Sequence, residues 1–420
     1  MNVLVNAYAV SPNWGSEQGM GWNWVINLAK YCRLDVITEG EWNEEIETAL
    51  SVLPQKDNIR FHYIPVSEKV RKMCWNQGDW RFYWHYERWQ RRALAKAREI
   101  CGCKRIDVLH QLNMIGFREP GYLWKIDGIP FVWGPVGGME LMPMSFLKGV
   151  PFKQRLLNTL KNTINRFQYT RSPRVRKAIG RSYAVISAVK GVQDVLADIY
   201  GIESDLVNET GVTIDPLIEK KYSKRCDPLK VIWVGKFDFR KQLPVALRSV
   251  IAANKRNIEL HICGTGREDV IAEMRSIAEA GGIQSQCHWY GNVEHSKILG
   301  MMAEADLLFF TSIMEATSTV ILEAISVGLP VLCFNTCGFG PIVKDFAGIT
   351  VEVLTPEQAV DDFAKVLLSV SQDRDILNQI SRRIIDNRES LTWDEKARKV
   401  VKEYYMASKT TDSDSELLFP

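Results

Sequence analysis

The sequence lacks the features of a secreted or membrane-spanning protein. Its first residues, MNVLVNAYAVSP, include no basic start and no small-residue cleavage site, both of which a signal peptide needs. Nowhere does it contain the run of about eighteen apolar residues that a membrane-spanning helix requires. We therefore expect a cytoplasmic protein, attached to the inner face of the membrane if it contacts the membrane at all.

The nine cysteines form no regular framework, and several lie in apolar runs such as ELHICGTG and PVLCFNTCG. This placement is typical of reduced core thiols. No cysteine pair stands at zinc spacing with histidine, so we expect no metal. A GxGxxG motif with an acidic residue about 20 positions later is also missing after the first strand, which argues against a dehydrogenase. We expect no cofactor.

Acidic residues are missing from Leu141 to Gln193, a segment that carries eleven Lys or Arg. The whole chain has a net charge of only +3, so the remainder is net negative. A segment charged so one-sidedly indicates an anionic partner.

The 420 residues are enough for two or three domains. Short apolar runs alternate with helical patterns up to DLVNETGV, and the alternation restarts at LKVIWVG. This order predicts an α/β fold with mostly parallel sheets. We expect an N-terminal domain over 1–212 and a C-terminal domain over 213–392. A helix over about 393–408 should pack back on the first domain, followed by a flexible tail over 409–420.

The segment MEATSTVILEAISVGLPVL is the strongest local signal. It predicts a helix that starts near Ser318, directly after a strand, with Glu315 before it and Glu323 in its second turn. The free N–H groups of such a helix start, those of residues 317–320 here (including Ser318, Thr319 and Val320), favour a diphosphate. A helix with an ordinary N-terminal acid is the alternative.

Two further turns follow predicted strands. Lys236 and Lys241 come after VIWVG and suit a pair of phosphates, although most such lysine pairs belong to solvated surface turns. Gly264 and Gly266, in ICGTGRE, permit close approach of a backbone, but GxG alone is a weak signal.

These motifs together resemble one known family. VGKFDFRKQ, ICGTGRE, WYGNV, EADLLFFTS and EATSTVILEAISVGLPV follow the order and spacing of the family 4 glycosyltransferases. SPNWGSEQGMGWNW, FVWGPVGG and NETGV extend the resemblance into the first half, within a subgroup that has a GPVGG turn. The resemblance implies the GT-B fold, in which two Rossmann-like domains face each other across a cleft. It also implies sugar transfer with retention at the anomeric carbon, without a bound metal ion.

The resemblance implies roles for single residues. Lys236 and Lys241 correspond to the cations that contact the donor diphosphate. Glu315 corresponds to the acid near the transferred sugar, and Glu323 to the acid on the ribose. Gly15 corresponds to a glycine loop that closes over the phosphates from the N-terminal domain.

The sequence also departs from the family pattern. Gln242 and Ala316 replace usual glycines, and the histidine expected after the mid-domain strand is absent, since Gly134 and Pro135 occupy that region. The acceptor side is therefore less well defined. His110, Glu17 and Glu140 are its candidates, with a structural role as the alternative for His110.

The resulting prediction is a retaining hexosyltransferase that uses a nucleotide-sugar donor, most simply a UDP-sugar. We expect the leaving phosphate to help deprotonate the acceptor hydroxyl, while the protein orients the substrates. A nucleotide-sugar epimerase of the same fold and a non-catalytic, membrane-binding scaffold are the alternatives.

Two segments favour an anionic membrane surface, and hence a lipid-linked saccharide or glycolipid acceptor. Residues 141–193 place apolar side chains, from Phe146 to Phe167, among cations. Residues 70–92 mix arginines with the four tryptophans Trp75, Trp80, Trp84 and Trp89. Core helices with a solvated basic face are the alternative, and no nucleic-acid partner is expected because no binding module accompanies the charge.

Overall fold

The computed structural model describes residues 1–76, 79–148, 150–221, 227–255, 257–316 and 318–416. They form two compact units. Unit 1 consists of Met1–Met139, Ile164–Thr210 and Trp393–Pro420, and unit 2 of Glu140–Thr163 and Gly211–Thr392. The segment Glu140–Thr163 thus belongs to unit 2, although it precedes residue 212 in the sequence.

Unit 1 contains a six-stranded parallel sheet in the order β3-β2-β1-β4-β5-β6. The strands are β1 Asn2–Ala7, β2 Arg33–Thr38, β3 Ile59–Tyr63, β4 Val108–Asn113, β5 Phe131–Val136 and β6 Ala184–Ser187. The helices of this part of the chain are α1 Ser16–Leu28, α2 Asn43–Ser51, α3 Glu68–Trp75, α4 Arg81–Cys103, α5 Phe152–Arg171, α6 Pro173–Arg181 and α7 Lys190–Val195. The boundary between the units, after Thr163, falls within α5.

Unit 2 contains a second six-stranded parallel sheet, in the order β12-β11-β10-β7-β8-β9. Its strands are β7 Leu229–Val234, β8 Ile258–Cys263, β9 Cys287–Gly291, β10 Leu307–Phe310, β11 Val331–Phe334 and β12 Gly348–Val351. Its helices are α8 Leu243–Ala253, α9 Glu268–Ala280, α10 His295–Glu304, α11 Thr319–Ser326, α12 Gly340–Ile342, α13 Pro356–Gln372 and α14 Asp375–Asn387.

Shorter helical turns complete the two units. The 3₁₀ segments are Lys56–Asn58, Leu123–Lys125, Met144–Leu147, Gln284–Gln286 and Arg388–Leu391, and the π segments are Leu196–Tyr200 and Val343–Ala347.

The last helix, α15 Trp393–Glu416, belongs to unit 1 and packs against α1. Its residues Ala397, Val400, Tyr404 and Ala407 are buried in the same apolar cluster as residues of β1 and α1. The helix extends beyond the predicted end near 408. Residues 417–420 of the predicted tail lie outside the described residues.

Each sheet has an apolar cluster on both of its faces, which is the layered arrangement that the strand–helix alternation predicts. In unit 1 the strand order reverses between β1 and β4, and in unit 2 between β7 and β10. Sheets of this kind bind ligands at the carboxyl ends of the two strands beside the reversal. The topology therefore predicts a ligand site at each of these two reversals.

Two other features bear on the predictions. The eight cysteines among the described residues are free thiols, and Cys226 lies outside them. Within the described part of the chain, no helix combines the length and apolar character needed to cross a bilayer.

Candidate functional site

Lys241 and Glu315 meet at the switch point of unit 2. Lys241 lies in the loop after β7 and Glu315 in the loop after β10, the two strands beside the reversal. Lys241 Nζ is 2.7 Å from Glu315 Oε1, and each side chain keeps less than a fifth of its surface exposed. Lys241 Nζ also lies 4.8 Å from the centroid of the Phe310 ring, within range of a cation–π contact. The structure therefore brings together two residues predicted separately from sequence.

Hydrogen bonds hold the two loops against each other. The Thr311 hydroxyl donates to the Lys241 carbonyl (2.8 Å), and the Ile313 N–H donates to the Arg240 carbonyl (2.9 Å). Ser312 Oγ donates to Glu315 Oε1 at 2.9 Å, so the carboxylate is oriented by a hydroxyl as well as by Lys241. These hydrogen bonds hold the ion pair in a fixed position before any ligand binds, as electrostatic stabilisation of a ligand requires.

Gln242 shows how the chain tolerates the loss of a glycine. Its φ is +50°, a left-handed conformation that glycine adopts at lower cost. The Gln242 side chain donates to the Phe239 carbonyl at 2.6 Å, which stabilises the turn. The departure from the family pattern noted above therefore keeps the backbone conformation that a glycine would favour.

Gly264 and Gly266 pack against the loop that carries Lys236. A Cβ on Gly264 would lie 1.8 Å from the Gly235 carbonyl oxygen, and one on Gly266 would lie 2.7 Å from Phe237 Cβ. The Phe237 N–H donates to the Thr265 carbonyl at 2.9 Å. In the structure these glycines bring one loop close to another, and the side chain of Lys236 is exposed beside them.

The predicted helix after Glu315 is α11, which begins at Thr319 with Ser318 as its N-cap. Ser318 is buried, Thr319 is exposed, and Thr317 lies outside the described residues. Glu323, in the second turn, has its Oε1 atom 3.0 Å from His295 Nε2, at the start of α10. His295 keeps 68% of its side chain exposed, so this contact lies at the surface.

Glu140 lies in unit 2, near Glu315, rather than in unit 1. Both carboxylates raise the pKa of the buried Cys337 thiol, although burial is the larger cause. Cys337 Sγ in turn accepts a hydrogen bond from the Glu315 N–H at 3.1 Å. Glu140 and Glu315 thus both act electrostatically on the same buried thiol.

In unit 1, Gly15 and Glu17 lie at the corresponding switch point. Gly15 is exposed and is the N-cap of α1. Glu17 Oε1 accepts a hydrogen bond from the Ile115 N–H, in the loop after β4, at 2.8 Å. Burial raises the pKa of Glu17 to about 7, and the negative charge of Glu209 acts in the same direction. A carboxyl group with such a pKa is suited to proton transfer near neutral pH.

His110 is a core residue. It is fully buried; its Nε2 contacts the Gly134 carbonyl at 2.6 Å, and its Nδ1 contacts the Tyr404 hydroxyl. Burial lowers the pKa of His110 to about 4, so the ring is neutral. With both nitrogens engaged and no exposed surface, His110 joins β4, β5 and α15 and has the structural role given above as its alternative.

Four contributors to the unit 2 site were not predicted: Thr311, Ser312, Cys337 and His295. Thr311 and Ser312 follow β10 directly, so their position at the carboxyl end of a central strand was available as a signal. Cys337 and His295 reach the site from other elements, and the local sequence gives no sign of their contacts.

The chain resembles known glycosyltransferases. Residues 215–387 match the family described as "Glycosyl transferases group 1". The lipopolysaccharide glucosyltransferase WaaG of Escherichia coli (strain K12) is 27% identical over 157 residues, which are 37% of this chain and 41% of that protein. The phosphatidylinositol N-acetylglucosaminyltransferase GPI3 subunit of Saccharomyces cerevisiae (strain YJM789) is 19% identical over 220 residues, 51% of this chain and 47% of that protein. The chain thus spans less than half the length of these relatives.

Among solved structures, Anabaena Alr3699/HepE in complex with UDP is similar, with a TM-score of 0.60 and 13% identity. The alignment covers 96% of this chain and 99% of that one. The predicted α/β, two-domain GT-B fold is confirmed, and the facing of the two domains across a cleft stays a prediction.

Proposed function

Because residues 215–387 match the group 1 glycosyl transferases, we propose that this chain is a glycosyltransferase that uses a nucleotide-sugar donor, with a UDP-sugar favoured. The observation that carries the proposal is the Lys241–Glu315 pair at the β7/β10 switch point. HepE, a structure of the same fold, was solved in complex with UDP. This likeness in fold supports the choice of UDP as the first nucleotide to test.

The proposed donor site uses the roles that the resemblance implies. Lys241, largely buried and held by Glu315, faces the diphosphate and stabilises the charge that grows as the leaving group departs. Lys236 supplies a second, exposed cation, and the N–H groups at the start of α11 add the favourable end of the helix dipole. Glu323 binds the ribose hydroxyls. Gly15 keeps the role that the resemblance implies, as part of the glycine loop at the phosphates.

The proposed reaction retains the configuration at the anomeric carbon. The leaving phosphate takes the proton of the acceptor hydroxyl on the same face of the sugar, and the protein orients both substrates. Glu315 positions Lys241 and does not attack the sugar, unlike the carboxylate nucleophile of retaining glycosidases. Glu17 is the proposed acceptor-side residue. Glu140, predicted for the same side, belongs instead to unit 2.

We further propose a lipid-linked saccharide or glycolipid acceptor at the inner face of a membrane. Helix α5 supports this: its apolar side chains are exposed, with Phe152 at 78% and Phe167 at 65%. The members of this apolar stripe are Phe152, Leu156, Leu157, Leu160, Ile164 and Phe167. Lys153, Arg155, Lys161, Arg166 and Arg171 lie on the same helix. Exposed apolar residues among cations are typical of helices that bind anionic lipid surfaces.

The structure refines the two segments predicted to contact membrane. Phe146 and Leu147 are buried in the core of unit 2, and Trp89 in that of unit 1, so these three do not contribute. Trp80, Tyr83 and Trp84, at the start of α4, are exposed, and Arg88 lies over the Trp84 ring. The names of WaaG and GPI3, which concern lipopolysaccharide and phosphatidylinositol, agree with a lipid-linked acceptor.

A thermal-shift panel tests the donor proposal. Wild type, Lys241→Ala, Glu323→Ala and the exposed control Glu357→Ala are each heated with UDP, GDP, ADP and common nucleotide sugars. A ligand at 100 times its dissociation constant should stabilise the protein by about 2.7 kcal/mol. We expect UDP or a UDP-sugar to stabilise wild type and Glu357→Ala, and to stabilise the two site variants much less.

The outcomes separate the proposal from its rivals. If none of the nucleotides raised the unfolding temperature, the result would favour the non-catalytic scaffold. Conversion of the stabilising nucleotide sugar to its epimer, without release of the nucleotide, would favour the epimerase.

A further inference from the structure

A second cluster of reactive side chains lies in unit 2, on strands β8 and β9. Glu259 and His261 are two residues apart on β8 and therefore project from the same face of the sheet. His288, on the edge strand β9, is the register partner of His261. One ligand atom from each of the three residues lies within 4.8 Å of the other two. The parallel register thus places two imidazoles and one carboxylate together.

Neither imidazole Nε2 atom is satisfied. The Nε2 atoms of His261 and His288 are buried and have no hydrogen-bond partner within the described ranges. The two rings stack with their centroids 4.8 Å apart, and His261 Nε2 is 3.5 Å from Glu259 Oε2. Buried polar atoms without partners are rare in native proteins and call for an explanation such as a bound ion.

The other nitrogen of His261 is already fixed. Its Nδ1 lies 2.9 Å from the Tyr290 hydroxyl, also on β9. When Nδ1 carries the proton, it donates to Tyr290 and leaves the Nε2 lone pair free. Histidines that bind metals usually have their second ring nitrogen hydrogen-bonded in this way.

From these observations, we propose that Glu259, His261 and His288 bind one divalent transition-metal ion of the zinc class. Two imidazoles and one carboxylate form a common ligand set for zinc, with the fourth position left to water. Ligand atoms around a tetrahedral zinc lie about 3.3 Å apart, given bonds of about 2.0–2.1 Å. The separation of His261 Nε2 and Glu259 Oε2 already approaches this value. The third ligand atom lies within 4.8 Å of the other two, so binding of one ion by all three requires side-chain rotation.

The surroundings of the cluster leave room for the fourth ligand. A cavity of about 100 Å³, lined in part by His261, Tyr290, Met301 and Glu304, lies next to it and has room for a water ligand. A metal held by β8 and β9 would fasten the edge strand β9 to the sheet. The site is separate from Lys241 and Glu315, so the inference does not depend on the proposed transferase function.

Metal titration of the full chain, prepared without a histidine tag, tests this proposal. Zn²⁺ binding is followed by calorimetry, and Co²⁺ binding by its visible absorption, in wild type, His261→Ala, His288→Gln and the control His85→Ala. We expect one tight site in wild type and His85→Ala, and affinity lowered more than about 100-fold in the two ligand variants. Tyr290→Phe, which removes only the partner of Nδ1, should weaken binding about 10-fold to 100-fold.

Measurements of folding distinguish loss of the metal site from loss of the fold. Each variant is first shown to keep the circular-dichroism spectrum and thermal unfolding of the metal-free wild type. Equal binding by wild type, His261→Ala and His288→Gln would overturn the proposal. Absence of a tight site in wild type would overturn it as well.

Discussion

Lys241 and Glu315 depend on each other in a way that affects any test by mutation. Both are mostly removed from water, so deleting one leaves the other as a largely buried charge without its partner. A loss of activity in a single variant therefore combines a direct effect with the displacement of the remaining side chain. The comparison of both single variants with the double variant separates the two effects.

We predict that Lys241→Met lowers the rate of donor turnover about 10²-fold to 10³-fold, because a preorganised positive charge is lost from the leaving group. The measurement is the release of nucleotide from whichever nucleotide sugar stabilises the wild type. Glu315→Ala should also impair turnover, since Lys241 then loses its orientation. Lys365→Met, on the exposed face of α13, is the control. Undiminished turnover in both site variants would contradict the proposed mechanism.

Glu17 predicts a pH dependence of stability. Its pKa rises from an ordinary value of 4.5 to about 7 on folding, so the folded state holds the proton more tightly than the unfolded state. Between these pH values the unfolded chain binds fewer protons, and stability falls as the pH rises. The full effect is at most about 3 kcal/mol, at 1.36 kcal/mol for each pH unit.

The variant Glu17→Gln cannot ionise but still accepts from the Ile115 N–H. Relative to this variant, wild type should lose free energy of unfolding between pH 4.5 and 7 and change little above pH 7.5. Urea unfolding at several pH values measures the difference. Glu45→Gln, on the exposed part of α2, should show no such trend. If the difference in free energy of unfolding between wild type and Glu17→Gln did not change with pH, the carboxyl group would have an ordinary pKa in the folded state.

At the scale of elements, the loops after β7 and β8 pack tightly against each other at Gly264. The Gly264 position leaves no room for a side chain against the Gly235 carbonyl, and Gly235 directly precedes the Lys236 turn. Gly264→Ala should therefore lower the free energy of unfolding by about 1–3 kcal/mol or more, by steric overlap. It should also weaken nucleotide binding, because the loop that carries Lys241 must move.

Gly300→Ala is the matched control, since no atom lies within 4 Å of its added Cβ. Within helix α10 this change should be neutral or stabilise the protein by about 0.5–1 kcal/mol. Chemical unfolding, with and without nucleotide, measures both variants. If Gly264→Ala unfolded at the wild-type denaturant concentration, the two loops would be independent.

The features that could be predicted from the sequence are those that depend on a short local pattern of apolar residues. Lys241, Glu315 and α11 each follow a strand that reads as a short apolar run, and parallel strands bring such loops to the same edge. The hydrogen bond of His110 with Tyr404, and the electrostatic effect of Glu140 on Cys337, join residues far apart in the chain. No local pattern records such contacts. Phe146 is buried and Phe152, six positions later in the sequence, is exposed. This difference likewise depends on tertiary packing, which the local sequence does not show.

At the scale of the whole molecule, the charge is concentrated rather than large. The net charge is +3, yet eleven cations and no acid lie between Leu141 and Gln193. Each Lys or Arg near an anionic bilayer contributes about 1 kcal/mol, and the attraction weakens over a Debye length of about 8 Å at physiological salt. The overall charge therefore understates the affinity expected for anionic lipid.

We predict that the protein sediments with vesicles of phosphatidylcholine and phosphatidylglycerol at low salt, and less at high salt. Phe152→Ser and Phe167→Ser should each weaken binding about tenfold or more, because each removes an aromatic ring that would be buried in lipid. Leu217→Ser, an exposed apolar residue outside α5, serves as control. Unchanged sedimentation of both phenylalanine variants would exclude α5 as the contact surface.

The position of α15 has a consequence for biosynthesis. Unit 1 takes its last helix from the end of the described chain, with the whole strand–helix series of unit 2 lying between α7 and α15. A ribosome therefore completes the sheet of unit 1 long before it makes Val400 and Tyr404, which cover its apolar surface. The nascent protein carries that surface uncovered until α15 has been made. Chaperone demand and sensitivity to premature termination should accordingly concentrate in unit 1, while unit 2 is already complete.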